Sequence, residues 1–228
     1  MTTMPTVGKK AKTRSEEVYN AVRIAILNGL NRPGSKLSPA VLSQEYGVSL
    51  SVVREALTRL AEQGLVVAQP QLGFQVTPIS RGDLLDLTSV RLDIETLALR
   101  RAVERGDVEW RSELLAAHYV LEHTPQHVEI DGRRVMSEDW TRVHAVYHEQ
   151  LLSACGSARL IEIASSLRDS ADLYRRWSEP IGGDTQRDIA GEHRAIFEAV
   201  QSGDPDLAVA KLTAHISHTT NVLLKHAT

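Results

Sequence analysis

Cysteine is nearly absent: Cys155 is the only one in 228 residues. No internal disulfide can form, which fits a reducing cytoplasm. The place of Cys155 in an apolar helical stretch reads as an inert core thiol. Long apolar runs are missing too, so no transmembrane helix and no membrane partner are expected. Met1 to Lys12 lacks the apolar segment of a secretory signal, and residues 1–13 read as a polar, basic, disordered tail. The chain also has no His-Glu-x-x-His helix, no Gly-rich phosphate loop and no nucleophile elbow. The usual carriers of metalloprotease, phosphotransfer and esterase chemistry are therefore not there. What remains is ordinary globular material, 42% hydrophobic and 24% charged, in a length that suits one large domain or two small ones.

The net charge of −3 hides an asymmetry. Residues 1–77 hold nine Lys/Arg against five acids, or +4, and the remainder carries −7. A basic first third on an acidic body suggests that only this third meets a polyanion, although a solvated face alone produces similar biases. Its hydrophobic pattern is specific. Val18, Ala21, Val22, Ala25, Ile26 and Leu30 form a helical stripe after Arg14, broken at Asn31-Arg32-Pro33-Gly34. Ser38-Pro39 opens a short second helix ending at Gly47. Ser49 starts a third, with Val52, Val53, Ala56, Leu57 and Leu60 inward, running to about Gly64. Leu65–Ala68 and Phe74–Thr77 then read as a hairpin. Three helices and a hairpin make a winged helix-turn-helix over 14–78. After Pro78 no strand signal is read. Helices are expected at 81–105, 108–123, 134–154, 158–177, 186–202 and 205–224, an antiparallel all-helical bundle over 79–226. The expected fold class is mostly α.

In a helix-turn-helix the N-terminal end of the second helix reaches base edges and phosphates. Here that end is Ser49-Leu50-Ser51-Val52-Val53-Arg54. Amides and serine hydroxyls suit phosphate oxygens, and Arg54 is long enough to grip a guanine edge. Arg54-Glu55 could equally be the solvated face of any helix. The run Leu42-Ser43-Gln44-Glu45-Tyr46-Gly47-Val48-Ser49, then Val53-Arg54-Glu55-Ala56-Leu57, then Leu60-Ala61-Glu62-Gln63-Gly64-Leu65-Val66, resembles the GntR family of bacterial regulators, in its FadR-like branch. The resemblance implies a homodimer on a short palindromic operator, with wing-tip Gly73 close to the minor groove. The family usually shows Ser-Arg-Thr-Pro-Val-Arg where this chain has Ser49 to Arg54, so an arginine that commonly touches DNA is Leu50 here. That change is expected to weaken binding or alter the operator, with Leu50 placed against a thymine methyl.

Of nine histidines, four stand out. His144 and His148 share a helix face, and His193 and His215 fall within apolar stripes of the last two helices. Each alone fits a hydrogen-bonded core histidine. Four inward imidazoles without a shared partner would be costly, which favours a metal. His118, His123, His127, His218 and His226 read as surface or structural. Glu192-His193-Arg194-Ala195-Ile196, Ala208 through His215-Ile216, and Tyr147-His148-Glu149-Gln150-Leu151-Leu152 resemble the FCD type of ligand-binding domain. That resemblance implies a divalent metal on three histidines and an aspartate, matched by His148, His193 and His215. Position 144 is histidine instead of aspartate, leaving His144, Asp93 or Asp139 as the fourth ligand. Nitrogen-rich ligands suit zinc, or nickel, better than magnesium. It also implies a small carboxylate effector, with Arg91 as its cationic partner; an Arg91–Glu95 pair on the helix surface is the competing reading. The expected function is a transcription repressor tuned by that effector. An effector-blind DNA-binding protein with a structural metal is the alternative. A helical metalloenzyme is a weaker one: Glu149, the nearest general base, is turned about 100° from His148.

Overall fold

The computed structural model of the chain describes residues 13–69, 73–130 and 132–227. The tail expected over 1–13 lies outside these apart from Thr13, as does the wing turn at 70–72. The chain divides into two compact units with the boundary between Pro78 and Ile79.

In the first unit α1 (Arg14–Leu27) starts at Thr13, whose hydroxyl accepts the Glu16 amide, and packs on α3 (Leu50–Glu62). Val18, Val22 and Ile26 of the one and Val53, Leu57 and Leu60 of the other are buried, each worth about 1.5–3 kcal/mol. Between them α2 (Pro39–Tyr46) has the anticipated Ser38 cap and proline at its first position. Its end is set by Gly47, at φ 61°, where a β-carbon would be strained. The Ser43 hydroxyl donates to the Val48 carbonyl across that turn, and Ser49 then caps α3 through the Val52 amide. β1 (Lys36–Leu37), β2 (Val66–Gln69) and β3 (Gly73–Val76) form an antiparallel sheet in the order β1-β3-β2. Lys36 pairs with Gln75 and Val66 with Val76. The two-residue β1 escapes the period-2 pattern because it is too short to show one.

The second unit holds α4 (Arg81–Arg105), α5 (Val108–Glu122), α6 (Glu138–Leu152), α7 (Ala158–Trp177), α8 (Ile189–Ser202) and α9 (Pro205–Leu223), with a 3-10 turn at Ser153–Cys155. Side-chain caps at Ser80, Asp107, Ser137, Ser157, Asp188 and Asp204 set the six starting points. α4 packs on α7 and α9, α8 on α9, and α5 on α6 and α8. Leu99, Leu114, Tyr147, Leu151, Ile196 and Leu212 are fully buried at the centre. The mostly α architecture, a winged helix-turn-helix with a helical bundle, is as expected. One element corrects it: β4 (His127–Ile130) pairs with β5 (Arg133–Met136) where only loop and helix were expected. Alternation in His127-Val128-Glu129-Ile130 and the Asp131-Gly132 dipeptide were the available signals. The hairpin delays α6, expected from 134, until the Ser137 cap.

Candidate metal centre and nucleic-acid interface

Ser49, Leu50, Ser51 and Arg54 all lie exposed along the start of α3. The Ser49 and Ser51 hydroxyls are hydrogen-bonded to each other at 2.9 Å, and Leu50 keeps half its surface exposed. Arg54 faces outward while Val53, Ala56 and Leu57 anchor the opposite face. Deeper in the same helix, the half-buried Arg59 has its guanidinium 4.2 Å over the Tyr19 ring. Gly73 has φ 96° with open space around it, so the turn needs glycine for its dihedral and not for room.

In the second unit the four singled-out histidines meet. Each of His144, His148, His193 and His215 offers a nitrogen within 4.8 Å of the other three. Two come from successive turns of α6, one from α8 and one from α9. The His148 and His193 Nε2 atoms face each other at 3.3 Å, the distance of about 3.3 Å that two nitrogens roughly 2.05 Å from one tetrahedral ion would have. The buried Nε2 of His144 has no hydrogen-bond partner among the described residues. Burial first, then the neighbouring imidazoles and arginines, pushes His144, His148 and His193 well below the usual histidine range. They are neutral at pH 7, with lone pairs available. His215 Nδ1 is 2.7 Å from Glu192 Oε2, which directs its Nε2 to the cluster in the manner of a carboxylate behind a metal-bound histidine. Burial alone would raise the Glu192 carboxyl, but hydrogen bonds from His215 and Arg187 outweigh it and hold it at about 2.

Asp93 is exposed on α4, and Asp139 is exposed 3.3 Å from Arg142; neither joins the cluster. The remaining histidines stay apart: buried His118 stacks on Phe197 at 4.4 Å, His127 pairs with Glu179 and His218 with Asp184. Cys155 is buried in the core. Among the described residues the donor set is therefore four nitrogens, one that could hold a borderline transition metal and is poorly suited to magnesium or calcium.

His144, His148 and His215 line a cavity of about 320 Å³, together with Arg91, Arg168, Arg175 and Arg187. Arg91 does pair with Glu95, at 2.8 Å, but not on the surface: Glu95 is 1% exposed and shared with Arg168 at 3.7 Å. Glu149 lies on the exposed rim of the same cavity despite its turn away from His148. The other three arginines and Glu192 had not been singled out. A signal existed on α7, where Arg168, Asp172 and Arg175 recur at helical spacing as a charged stripe on a face the bundle encloses.

A helix-turn-helix with an exposed arginine near the start of α3 in one unit, and a cavity lined by arginines and imidazoles in the other, fit the class of DNA-binding transcription regulators. Comparison with known proteins gives the lineage. Residues 14–76 match bacterial regulatory proteins of the gntR family, and residues 86–218 match the FCD domain. The chain is 31% identical over 208 residues to the HTH-type transcriptional regulator BphR of Paraburkholderia xenovorans, covering 91% of this chain and 84% of that one. It is 27% identical over 201 residues to the HTH-type transcriptional repressor GlaR of Escherichia coli, covering 87% and 90%. Solved structures with the same fold include E. coli McbR/YncC, at TM-score 0.57 and 20% identity over 94% of this chain and 98% of that one. A GntR family regulator from Pseudomonas syringae aligns at 0.53 and 20%, over 93% and 85%. The chain belongs to the GntR family of bacterial transcription regulators and carries an FCD domain. Its relatives and its fold are those of regulators, not of enzymes. No helix among the described residues is long and apolar enough to cross a membrane.

Proposed function

We propose that this chain is a repressor that binds a short palindromic operator as a homodimer in the cytoplasm, and that a small carboxylate in the arginine-lined cavity sets its hold on DNA. Ser49, Leu50, Ser51, Arg54 and Gly73 are the groups assigned to DNA. His144, His148, His193 and His215 are assigned to a metal, zinc in preference to nickel, and Arg91 to the effector carboxylate. The single observation that carries this reading is the convergence of four neutral imidazoles, three of which line a cavity walled by four arginines. A metal there would supply fixed positive charge and a Lewis-acidic point for an oxygen ligand. The chain's own residues do the rest: Glu192 orients His215, the arginines attract the anion, and the packed faces of α6, α8 and α9 hold the imidazoles in place.

The repressor sign is supported by the name of the E. coli relative. A second reading has one observation in its favour: the four histidines would by themselves supply the four ligands that a structural site takes. Metal analysis of purified protein, followed by titration of its selected operator in the presence of a panel of hydroxy acids and sugar acids, separates them. The proposal expects one metal per chain and a 5–150-fold change in operator affinity with one of the acids, about 1–3 kcal/mol of coupling. One metal per chain with no response to any acid makes the metal structural. No metal at all leaves the cluster as a set of core histidines.

A further inference from the structure

A second cavity of about 320 Å³ lies on the other side of the cluster. It shares Trp140 and Ile189 with the first. The four histidines divide between the two spaces: His144, His148 and His215 line the first, and His193 lines the second. The second cavity is thus lined both by exposed residues and by buried His193, whose Nε2 stands 3.3 Å from the His148 Nε2. Its rim carries exposed Glu122, His123 and Pro125, and its floor buried His118, Trp140 and His193.

The two spaces differ in charge. The first is walled by Arg91, Arg168, Arg175 and Arg187; its carboxylates are Glu149 and Asp169, both exposed, and Asp172, which is tied to Arg175 and Arg176. Among the described residues, no arginine or lysine lines the second. Its only formal charge is Glu122, which pairs with Arg194, and it offers imidazoles and the Gln126 amide as passing ligands. A cation crossing the first space must pass four guanidinium groups at close range, even though each also pairs with a carboxylate (Glu95, Asp172 or Glu192), and an anion finds donors there. In the second, no guanidinium among the lining residues stands in the way of a cation.

We propose that the second cavity is the path by which a divalent cation reaches the four histidines, leaving the first cavity to the anion. The proposal rests on the metal reading given above and adds a route to it. A blocked path changes rates without changing equilibrium: uptake and release slow by one factor, and the dissociation constant stays where it was.

Ala190 on the rim of the second cavity and Ala145 in the wall of the first are both exposed, and neither is assigned to metal, effector or DNA. Ala190→Phe and Ala145→Phe therefore place one plug at each entrance. Metal-free protein is mixed with cobalt(II), whose absorption reports nitrogen coordination, and loaded protein is then mixed with excess EDTA. We expect Ala190→Phe to slow both uptake and release at least tenfold with affinity within twofold of wild type, and Ala145→Phe to leave both rates within twofold. The smaller Ala190→Leu should give an intermediate rate, and unchanged circular dichroism and operator binding show that each variant is folded. Wild-type rates in Ala190→Phe, or slowing confined to Ala145→Phe, overturn the proposal while leaving the metal reading intact. Wild-type protein that takes up no cobalt at equilibrium overturns both.

Discussion

Replacing Glu192 by glutamine removes one charge and little volume from a position that touches no proposed ligand atom directly. The carboxylate accepts from His215 Nδ1 at 2.7 Å and from the Arg187 Nε and an Nη at 2.8 and 2.7 Å. Its low pKa, about 2, shows how strongly the surroundings favour the anion. Glutamine keeps an acceptor oxygen but cannot serve His215 and both Arg187 nitrogens as well, and it leaves Arg187, 4% exposed, without its counter-charge. Loss of a carboxylate behind a metal-bound histidine costs typically 10–100-fold in metal affinity, about 1.4–2.7 kcal/mol. The metal-free protein should lose roughly 1–3 kcal/mol of stability from the disrupted charged hydrogen bonds. Zinc competition against a chromophoric chelator reads the first quantity and urea unfolding of the metal-free form the second. Unchanged zinc affinity in a variant that is measurably destabilised would refute the reasoning, because Glu192 would then brace the helices without orienting His215.

Arg54→Ala should weaken operator binding by about 1–3 kcal/mol while metal content stays at the wild-type level, read by anisotropy and elemental analysis. Leu50→Arg should change which sequences are recovered from a random duplex pool, with guanine enriched at the contacted position; identical pools would show that residue 50 does not read bases. His193→Ala should deplete metal and abolish the effector response, since it removes the ligand facing His148 at 3.3 Å. The metal-free protein should also be acid-sensitive. His144, His148 and His193 have folded pKa values below the unfolded one. Below a pH of about 6.5 the unfolded chain therefore binds more protons, and stability falls as the pH is lowered. Denaturant midpoints that stay level between pH 7 and pH 5 would count against this.

The first unit was the more legible because its information is local. Ser38-Pro39, Gly47 and Ser49 act on the backbone within a turn of themselves, and α2 and α3 begin and end there. Helix starts at Ser80, Asp107 and Asp204 were legible for the same reason. The hairpin at His127–Met136 was overlooked: Val128 and Ile130 are about two-fifths exposed, so its strands carry only a faint apolar face.

At the candidate site the split is sharper. Sequence alone determined that His144 and His148 share a face and that His193 and His215 turn inward, because helical periodicity and apolar neighbours decide each of these separately. That the four converge to within 4.8 Å, that Asp93 and Asp139 stay outside, and that Glu192 stands behind His215 were decided only by the packing of α6, α8 and α9. So was the fate of Arg91, whose pairing with Glu95 is readable four residues along the helix but whose burial beside Arg168 depends on where α7 comes to rest. Spacing along a chain fixes which way a side chain points; which side chains it meets depends on the crossing of helices far apart in sequence, and no single helix encodes that.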